Sequence, residues 1–533
     1  MKSRLNTIQP IVASVSALAF ATSAHAVDYV WDGGTGNWNS NNWSDGTNSG
    51  LIGPVSAGNT ATITSGVVTA NVGGPGNLDS IIIGSGGQLN LYNGDGGIYA
   101  YQGIGNLNLQ GGTLNGGSAT YNAYGASFLG NVSVSGSAAS TITGGSWFNI
   151  GPSTVFTVAD VTGSSSTDLL VSTSLRGPAG SPDWTYTAAS IIKEGAGTME
   201  ITSHSYFWGG LELNGGTLKV SGGNGGYGFF AGAVNVNSGT TLEISSDGTG
   251  LGWQGGWKPE SVNINGGTIT TSGANHVWGI SGGVNLTGGT LQSNNGVSAT
   301  DGAQLEWNQT SVTTNASATT SEIGGRIRIR NDGGYSSISF AVANGDAVTD
   351  LLVSAAVTEA AGGMGISKSG GGLMELSGTS NYTGATSVSA GTLLVTGALG
   401  NTAVTVDGGA FGGTGTIGGS LTINSGFFHV ADLADSLAVA GTVSLFAGFG
   451  IDDLTGVDWD SVGNGTHTLI SGTLGSGVFS GLSNNSSGTA FSLGGGRSAY
   501  FQEGSLQLVV VPEPGVTLLG GFGILALLRR RRA

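Results

Sequence analysis

Residues 211–220 read LELNGGTLKV. Leu211, Leu213, Leu218 and Val220 alternate with Glu212, Asn214, Thr217 and Lys219, and two glycines interrupt the alternation. A period of two is the signature of a strand with one buried face, not of a helix. Asn and Gly both tolerate a left-handed backbone, so the chain can turn a corner at Asn214–Gly216. Strand, Gly-Gly, strand also fits a hairpin, so the stretch alone leaves two folds open.

Recurrence decides between them. LNLQGGTLNG (107–116), VNINGGTITT (262–271) and VNLTGGTLQS (284–293) repeat the pattern, and 234–244, 404–413 and 421–430 are looser copies. The corner glycines Gly216, Gly239, Gly267 and Gly289 lie 23, 28 and 22 residues apart. Hairpins do not demand such a period; a solenoid does, with one coil per repeat and aliphatic side chains stacking inward from coil to coil.

A longer repeat overlies the coils. Residues 193–220, KEGAGTMEITSHSYFWGGLELNGGTLKV, align without a gap to 368–395, KSGGGLMELSGTSNYTGATSVSAGTLLV, with 11 identities in 28 positions. TDLLVS occurs upstream of both, at 167–172 and 349–354. The second copy resembles the autotransporter-associated β-strand repeat, in its K-x-G-x-G-x-L-x-L start, its Y-x-G step and its closing A-G-T-L-x-V. The first copy departs from that pattern at Ser203 and through HSYFW (204–208). VWDGGTGNWNSNNW (30–43) is similar to the entry segment of such proteins. The resemblance implies an all-β chain folded as a right-handed parallel β-helix. We expect an entry or cap segment over 27–62, the helix over 63–430, and an antiparallel β cap over 431–510, where the GGT corners vanish. A solenoid needs such a cap to cover its last coil.

Both ends read as addresses. Lys2 and Arg4, an apolar run over 11–21 and Ala24-His25-Ala26 have the order of a signal peptide over 1–26, with cleavage after Ala26. At the other end, VPEPGVTLLGGFGILALLRRRRA (511–533) holds an apolar run of 13 residues. As a helix that run is about 20 Å long, short of a bilayer core of about 30 Å. Pro512, Glu513 and Pro514, this short hydrophobic helix, and Arg529, Arg530, Arg531 and Arg532 resemble the PEP-CTERM sorting signal. The resemblance implies a Gram-negative bacterium, processing by an exosortase and association with exopolysaccharide. The arginines would hold the end on the cytoplasmic side during transient inner-membrane insertion.

Composition limits the chemistry. The chain has 103 glycines in 533 residues without a G-x-y period, which excludes collagen, and its apolar content of 38% can fill a core. There is no cysteine, so burial and backbone ladders must hold an exported fold. Between Val27 and Val511 nine basic residues face thirty acidic ones, a net charge of −21. Nucleic acid and anionic lipid are disfavoured as main partners.

Catalytic and metal signatures are sparse. No pair among His204, His276, His429 and His467 has metal-ligand spacing, and neither cofactors nor metals are implied. Asp452, Asp453, Asp458 and Asp460 lack the order of a calcium loop and read as a solvated acidic turn. Glu194, Glu200 and Glu212 beside Lys193 are the residues a polysaccharide lyase or glycosidase would use. Glu200 recurs as Glu375 in the second copy, which favours a scaffold role. Arg326, Arg328 and Arg330 alternate with Ile327 and Ile329, so they occupy one face of a strand that can hold an acidic sugar or simply face water. Tyr101, Phe128, Trp208, Phe230, Trp253 and Trp278 each precede a corner. Turned outward, Trp208, Trp253 and Trp278 would stack on carbohydrate; turned inward, the aromatics fill the core, and their small neighbours favour that direction. The reading is an exported, non-enzymatic structural or adhesion protein of the cell surface or extracellular matrix. The alternatives are a lyase or glycosidase on the same scaffold, and an autotransporter-like adhesin passenger.

Overall fold

The computed structural model describes residues 27–513 except 52, 55–57, 71–79, 92–102, 117–127, 146, 178–188, 223–228, 246–250, 252–257, 272–275, 279–282, 294–303, 309–310, 331–333, 335 and 503–505. Among these residues there are forty-seven strands and three short 3-10 turns, and no α-helix. Nearly all ladders are parallel, as a β-helix requires and hairpins forbid.

Each GGT corner joins two walls of the helix. On the first wall the register stacks Leu211, Val234, Val262, Val284 and Val312 in one inward column. On the second, Met199, Leu218, Leu242, Ile269 and Leu291 do the same. All ten side chains are buried. A third wall includes a four-stranded parallel ladder of His276–Trp278, Gln304–Asn308, Arg326–Arg330 and Ala356–Glu359. The alternation in the sequence is therefore the section of a continuous apolar column. Truncating one of its leucines to alanine costs about 2–5 kcal/mol. Coil length varies without disturbing the columns: Thr217 pairs with Thr241, Thr241 with Thr268 and Thr268 with Thr290.

The first coil is built by the Trp-rich segment. Asp28–Val30 pairs parallel with Thr60–Thr62, and Thr35–Asn37 with Val67–Thr69. Trp31, Trp38 and Trp43 are buried together, with ring centroids 5.2 Å apart for Trp31 and Trp43 and 4.8 Å for Trp38 and Trp43. The indoles of Trp38 and Trp43 donate to the carbonyls of Pro54 (3.1 Å) and Trp38 (2.9 Å), so their polar edges are satisfied inside the cluster.

Beyond Val430 the architecture differs from the expectation. Parallel pairing continues into Leu437–Leu445 and on to 470–474 of the strand Gly465–Leu474. Antiparallel pairing begins with the other half of that strand, which pairs with Leu506–Pro512; Arg497–Gln502 and Phe491–Gly494 follow. The GGT corners vanish earlier because the chain turns differently there. Val404–Gly412, Leu421–His429 and Leu437–Leu445 are nine-residue strands, and register shifts between Val406 and Ala410 and between Ala438 and Thr442 mark how they bend through corners. The helix proposed for 516–528 and the N-terminal 26 residues lie outside the described residues. Among the described residues no helix is long and apolar enough to cross a membrane.

Candidate functional site

At two points among the described residues the walls turn a lysine inward. Lys193 occupies an inward position between Phe156 and Leu213, and Lys368 one between Phe340 and Val388. They are 0% and 1% exposed. A buried ammonium is costly unless every donor is matched. Both are matched, and in the same way. Lys193 Nζ donates to the carbonyls of Glu194 (3.0 Å), Gly195 (2.9 Å) and Gly215 (2.9 Å). Lys368 Nζ donates to those of Ser369 (3.1 Å), Gly370 (2.8 Å) and Ala390 (2.9 Å). Two carbonyls belong to the lysine's own corner and the third to the corner of the next coil.

A buried aspartate completes each corner from the preceding coil. Asp168 accepts from the backbone N–H groups of Val161 (3.0 Å), Thr162 (2.9 Å) and Thr198 (2.7 Å). Asp350 accepts from those of Gly345 and Leu373, both at 2.7 Å. Burial pushes both lysines down to about 8, and the negative charge of Asp168 or Asp350 opposes that shift, helped at Lys193 by Glu194. The repeated TDLL and K-x-G-x-G motifs thus describe one unit in two parts. Its glycines make room for it: a Cβ on Gly197 would lie 2.8 Å from Asp168 Oδ2, and one on Gly372 2.7 Å from Asp350 Oδ2.

Other repeat positions reproduce their contacts. Ser205 Oγ accepts from the N–H of Leu175 at 2.9 Å, and Ser380 Oγ from that of Val357 at 3.2 Å. Glu200 and Glu375 occupy the same place in the two copies but take different partners: Glu200 accepts from the Thr167 hydroxyl in the preceding coil and Glu375 from that of Thr396 in the following one, both at 2.6 Å. The Y-x-G step is where the copies diverge. Tyr382 is buried and its hydroxyl shares a 2.7 Å hydrogen bond with Thr386, while the matching Phe207 stacks on Phe230 at 5.6 Å.

The residues expected for sugar cleavage do not converge. Lys193 lies in the core with all three donors engaged. Glu212 faces outward on the first wall and Glu200 outward on the second, separated by the corner. Glu212 instead anchors an amide ladder: it accepts from Asn235 (2.9 Å) and Asn237 (2.5 Å). Asn263 donates to Asn235 at 2.7 Å, and Asn285 to Asn263 at 2.8 Å. The arrangement clamps coil to coil.

The remaining candidates fall as follows. Phe230 is buried and Trp208 half-buried, Trp253 and Tyr101 lie outside the described residues, and Trp278 closes the strand His276–Trp278 opposite Glu306. Ile327 and Ile329 are buried and Arg326, Arg328 and Arg330 half-buried, so the arginines line the outward side. Among the described residues no group of His, Asp or Glu is placed to hold a metal ion. Asp453, in the acidic turn, accepts from the N–H of Gly450 at 2.8 Å, and burial pushes its carboxyl up. Pro512 ends a strand opposite Arg497, and Glu513 accepts from the Ser492 hydroxyl at 2.8 Å. Ala24, Ala26, Pro514 and Arg529–Arg532 lie outside the described residues.

Fold and corners together define a β-solenoid carrying two copies of a passenger-type repeat. A family model described as the passenger-associated-transport-repeat matches residues 191–220 and 366–395, each match spanning the buried lysine, its corner and the closing Thr-Leu-x-Val strand. Comparison with curated proteins and with solved structures gives no match.

Proposed function

We propose that this chain is an exported, non-enzymatic rod that serves as a surface or extracellular-matrix scaffold of a Gram-negative bacterium. The observation that carries the reading is the pair of matched repeats, each with its Asp–Lys corner, inside one parallel ladder. The family's description links the repeat to passengers and their transport, which supports export. A solenoid whose coils are cross-linked by buried polar groups suits a stiff extracellular element without disulfides. The N-terminal leader and the PEP-type tail supply the route: export, transient insertion in the inner membrane, processing by an exosortase-type enzyme, and residence near exopolysaccharide. An adhesin-like passenger is the second reading, favoured by the same family match.

Truncation tests the route, and the fold dictates where to cut. Val511 and Pro512 belong to the strand Leu506–Pro512, which pairs on both sides, so a deletion must begin after Glu513. The chain ending at Glu513 should fold and lose its retention on producing cells. Intact mass of the native mature protein should lack Arg529–Arg532. Unchanged fractionation together with an intact C-terminus would refute the sorting reading.

A further inference from the structure

The C-terminal end of the rod grips its own last residues. Leu506–Pro512 is a central strand, paired antiparallel with residues 465–470 on one side and Arg497–Gln502 on the other. Pro512 lies opposite Arg497 and has no N–H to lend, yet the residue after it is tied twice. The Glu513 N–H donates to the Gly496 carbonyl at 2.7 Å, and the Glu513 carboxylate accepts from the Ser492 hydroxyl at 2.8 Å. Both partners belong to one hairpin, Phe491–Gly494 with Arg497–Gln502, which turns through Gly494, Gly495 and Gly496. The hairpin is anchored in turn. Arg497 donates to the carbonyls of Val462 and Trp459, the Phe501 N–H donates to the Asn484 carbonyl at 2.6 Å, and buried Phe501 stacks on Phe449 at 6.2 Å.

We propose that the cap locks the sorting motif: an enzyme that reads Pro512 and Glu513 takes them up before the hairpin closes on them, so removal of the tail competes with closure of the cap. Pro512 and Glu513 are exposed, and an enzyme can touch their side chains. Their backbone is held. An extended peptide enters a cleft largely through its main-chain N–H and C=O groups, as an added strand does. From Leu506 to Val510 ladder partners stand on both sides, and Val511, Pro512 and Glu513 still lie against the hairpin.

The strand that leads into the motif is also the one that completes the sheet, because it joins residues 465–470 to Arg497–Gln502. Until it inserts, the motif can be read. Once it has inserted, reading requires the pairing with Arg497 and both ties of Glu513 to break. Among the described residues Phe491–Gly494 pairs with Arg497–Gln502 alone, so this edge arm opens first and leaves the coils undisturbed. After the tail is gone, the same two ties keep the new end from fraying. The inference rests on the sorting reading above and adds its timing.

Two measurements on the full chain test it. Proteinase K digestion of the purified protein, followed by intact mass, should remove the tail and stop at or just beyond Glu513. The variant Ser492→Ala with Arg497→Gln should lose Glu513 and Pro512 as well. Should that variant fail to fold, Ser492→Ala alone removes one tie and should still open Glu513 to trimming. A native boundary inside Leu506–Pro512, or the same boundary in native and variant proteins, would overturn the proposal. In producing cells, pulse labelling should show the tail leaving the loosened variant several-fold faster than the native chain. An unchanged rate, with the digestion boundary shifted, would also overturn it, since the enzyme would then read the closed cap. A tail kept in cells by both native and loosened chains, with the digestion boundary in place, would leave the lock standing and defeat the sorting reading.

Discussion

Lys368 and Ala390 are 22 residues apart in sequence and one coil apart in space, and the ammonium of the first donates to the carbonyl of the second at 2.9 Å. Lys193 and Gly215 have the same separation and the same 2.9 Å contact. Each lysine thus ties two coils at the corner where an apolar side chain could only fill space.

Loss of that tie should loosen one region of the rod, not the whole. Lys368→Met keeps most of the volume and leaves three buried carbonyls and the Asp350 carboxylate without a partner cation. Breaking such a set costs about 3–5 kcal/mol. In a solenoid the loss stays local, because each coil contacts only its neighbours. The amides of Ser389 and Thr392, which donate to the carbonyls of Lys368 (3.0 Å) and Gly372 (3.1 Å), should exchange faster. Amides of the 234–271 coils should not change. Unaltered exchange at Ser389 and Thr392 would show that the lysine fills space and no more.

Alkaline pH should act on the corners with a sign opposite to that of most proteins. Both lysines are pushed down to about 8 by burial, from an ordinary value of 10.5. Between these values the unfolded chain binds more protons than the folded one, so stability rises with pH and this contribution is lost as pH falls through 8. Tyr382 acts the other way: burial raises its hydroxyl, so its contribution fades once pH exceeds 10. Melting temperature should therefore climb from pH 8 to about 10 and then turn down. The double variant Lys193→Met, Lys368→Met should lose the climb; a climb that persists in it would assign the effect to other groups.

Two neighbouring glycines separate strain from composition. Gly391 has φ +66°, and a Cβ there would lie 2.3 Å from the Gly370 carbonyl and 2.6 Å from Lys368 Nζ. Gly371 has nothing within 4 Å of its would-be Cβ. Gly391→Ala should destabilise the coil by at least about 1–3 kcal/mol from the backbone alone. Gly371→Ala should be neutral, because nothing obstructs the methyl group. Denaturation of the two variants side by side provides the measurement, and equal midpoints would contradict the corner geometry.

What the sequence made legible was whatever repeats. The alternation over 211–220 and the spacing of Gly216, Gly239, Gly267 and Gly289 carry the helix, because identical coils must solve the same packing problem. The corner unit was half legible: TDLLVS and K-x-G-x-G stand out as duplicated strings, yet only the register brings Asp350 and Lys368 to one corner. Lys193 misleads because a lysine beside glutamates looks solvated, and its inward direction depends on the parity of the strand Ser190–Glu194. The limit of the parallel region at 470–474 was hidden for a different reason. Corners that bend through a continuous strand leave no glycine pair to read.

The amide ladder on the first wall should depend on its charged end. Glu212 accepts from Asn235 and Asn237, Asn263 donates to Asn235, and Asn285 donates to Asn263, so every amide points its N–H groups toward the carboxylate. A chain of hydrogen bonds polarised in one direction needs an acceptor at its head. Glu212→Gln keeps the shape and replaces one of the two acceptor oxygens by a donor, which sets N–H against N–H at Asn235 or Asn237. Hydrogen bonds to charged groups contribute about 1.5–3 kcal/mol, and the exposed side of the wall places the expected loss at the lower end. Because the column can reverse only as a unit, the substitution should also shift the side-chain amide resonances of Asn263 and Asn285, residues that Glu212 does not touch. A change confined to Asn235 and Asn237 would mean that the asparagines pair locally and that no ladder-wide polarity exists.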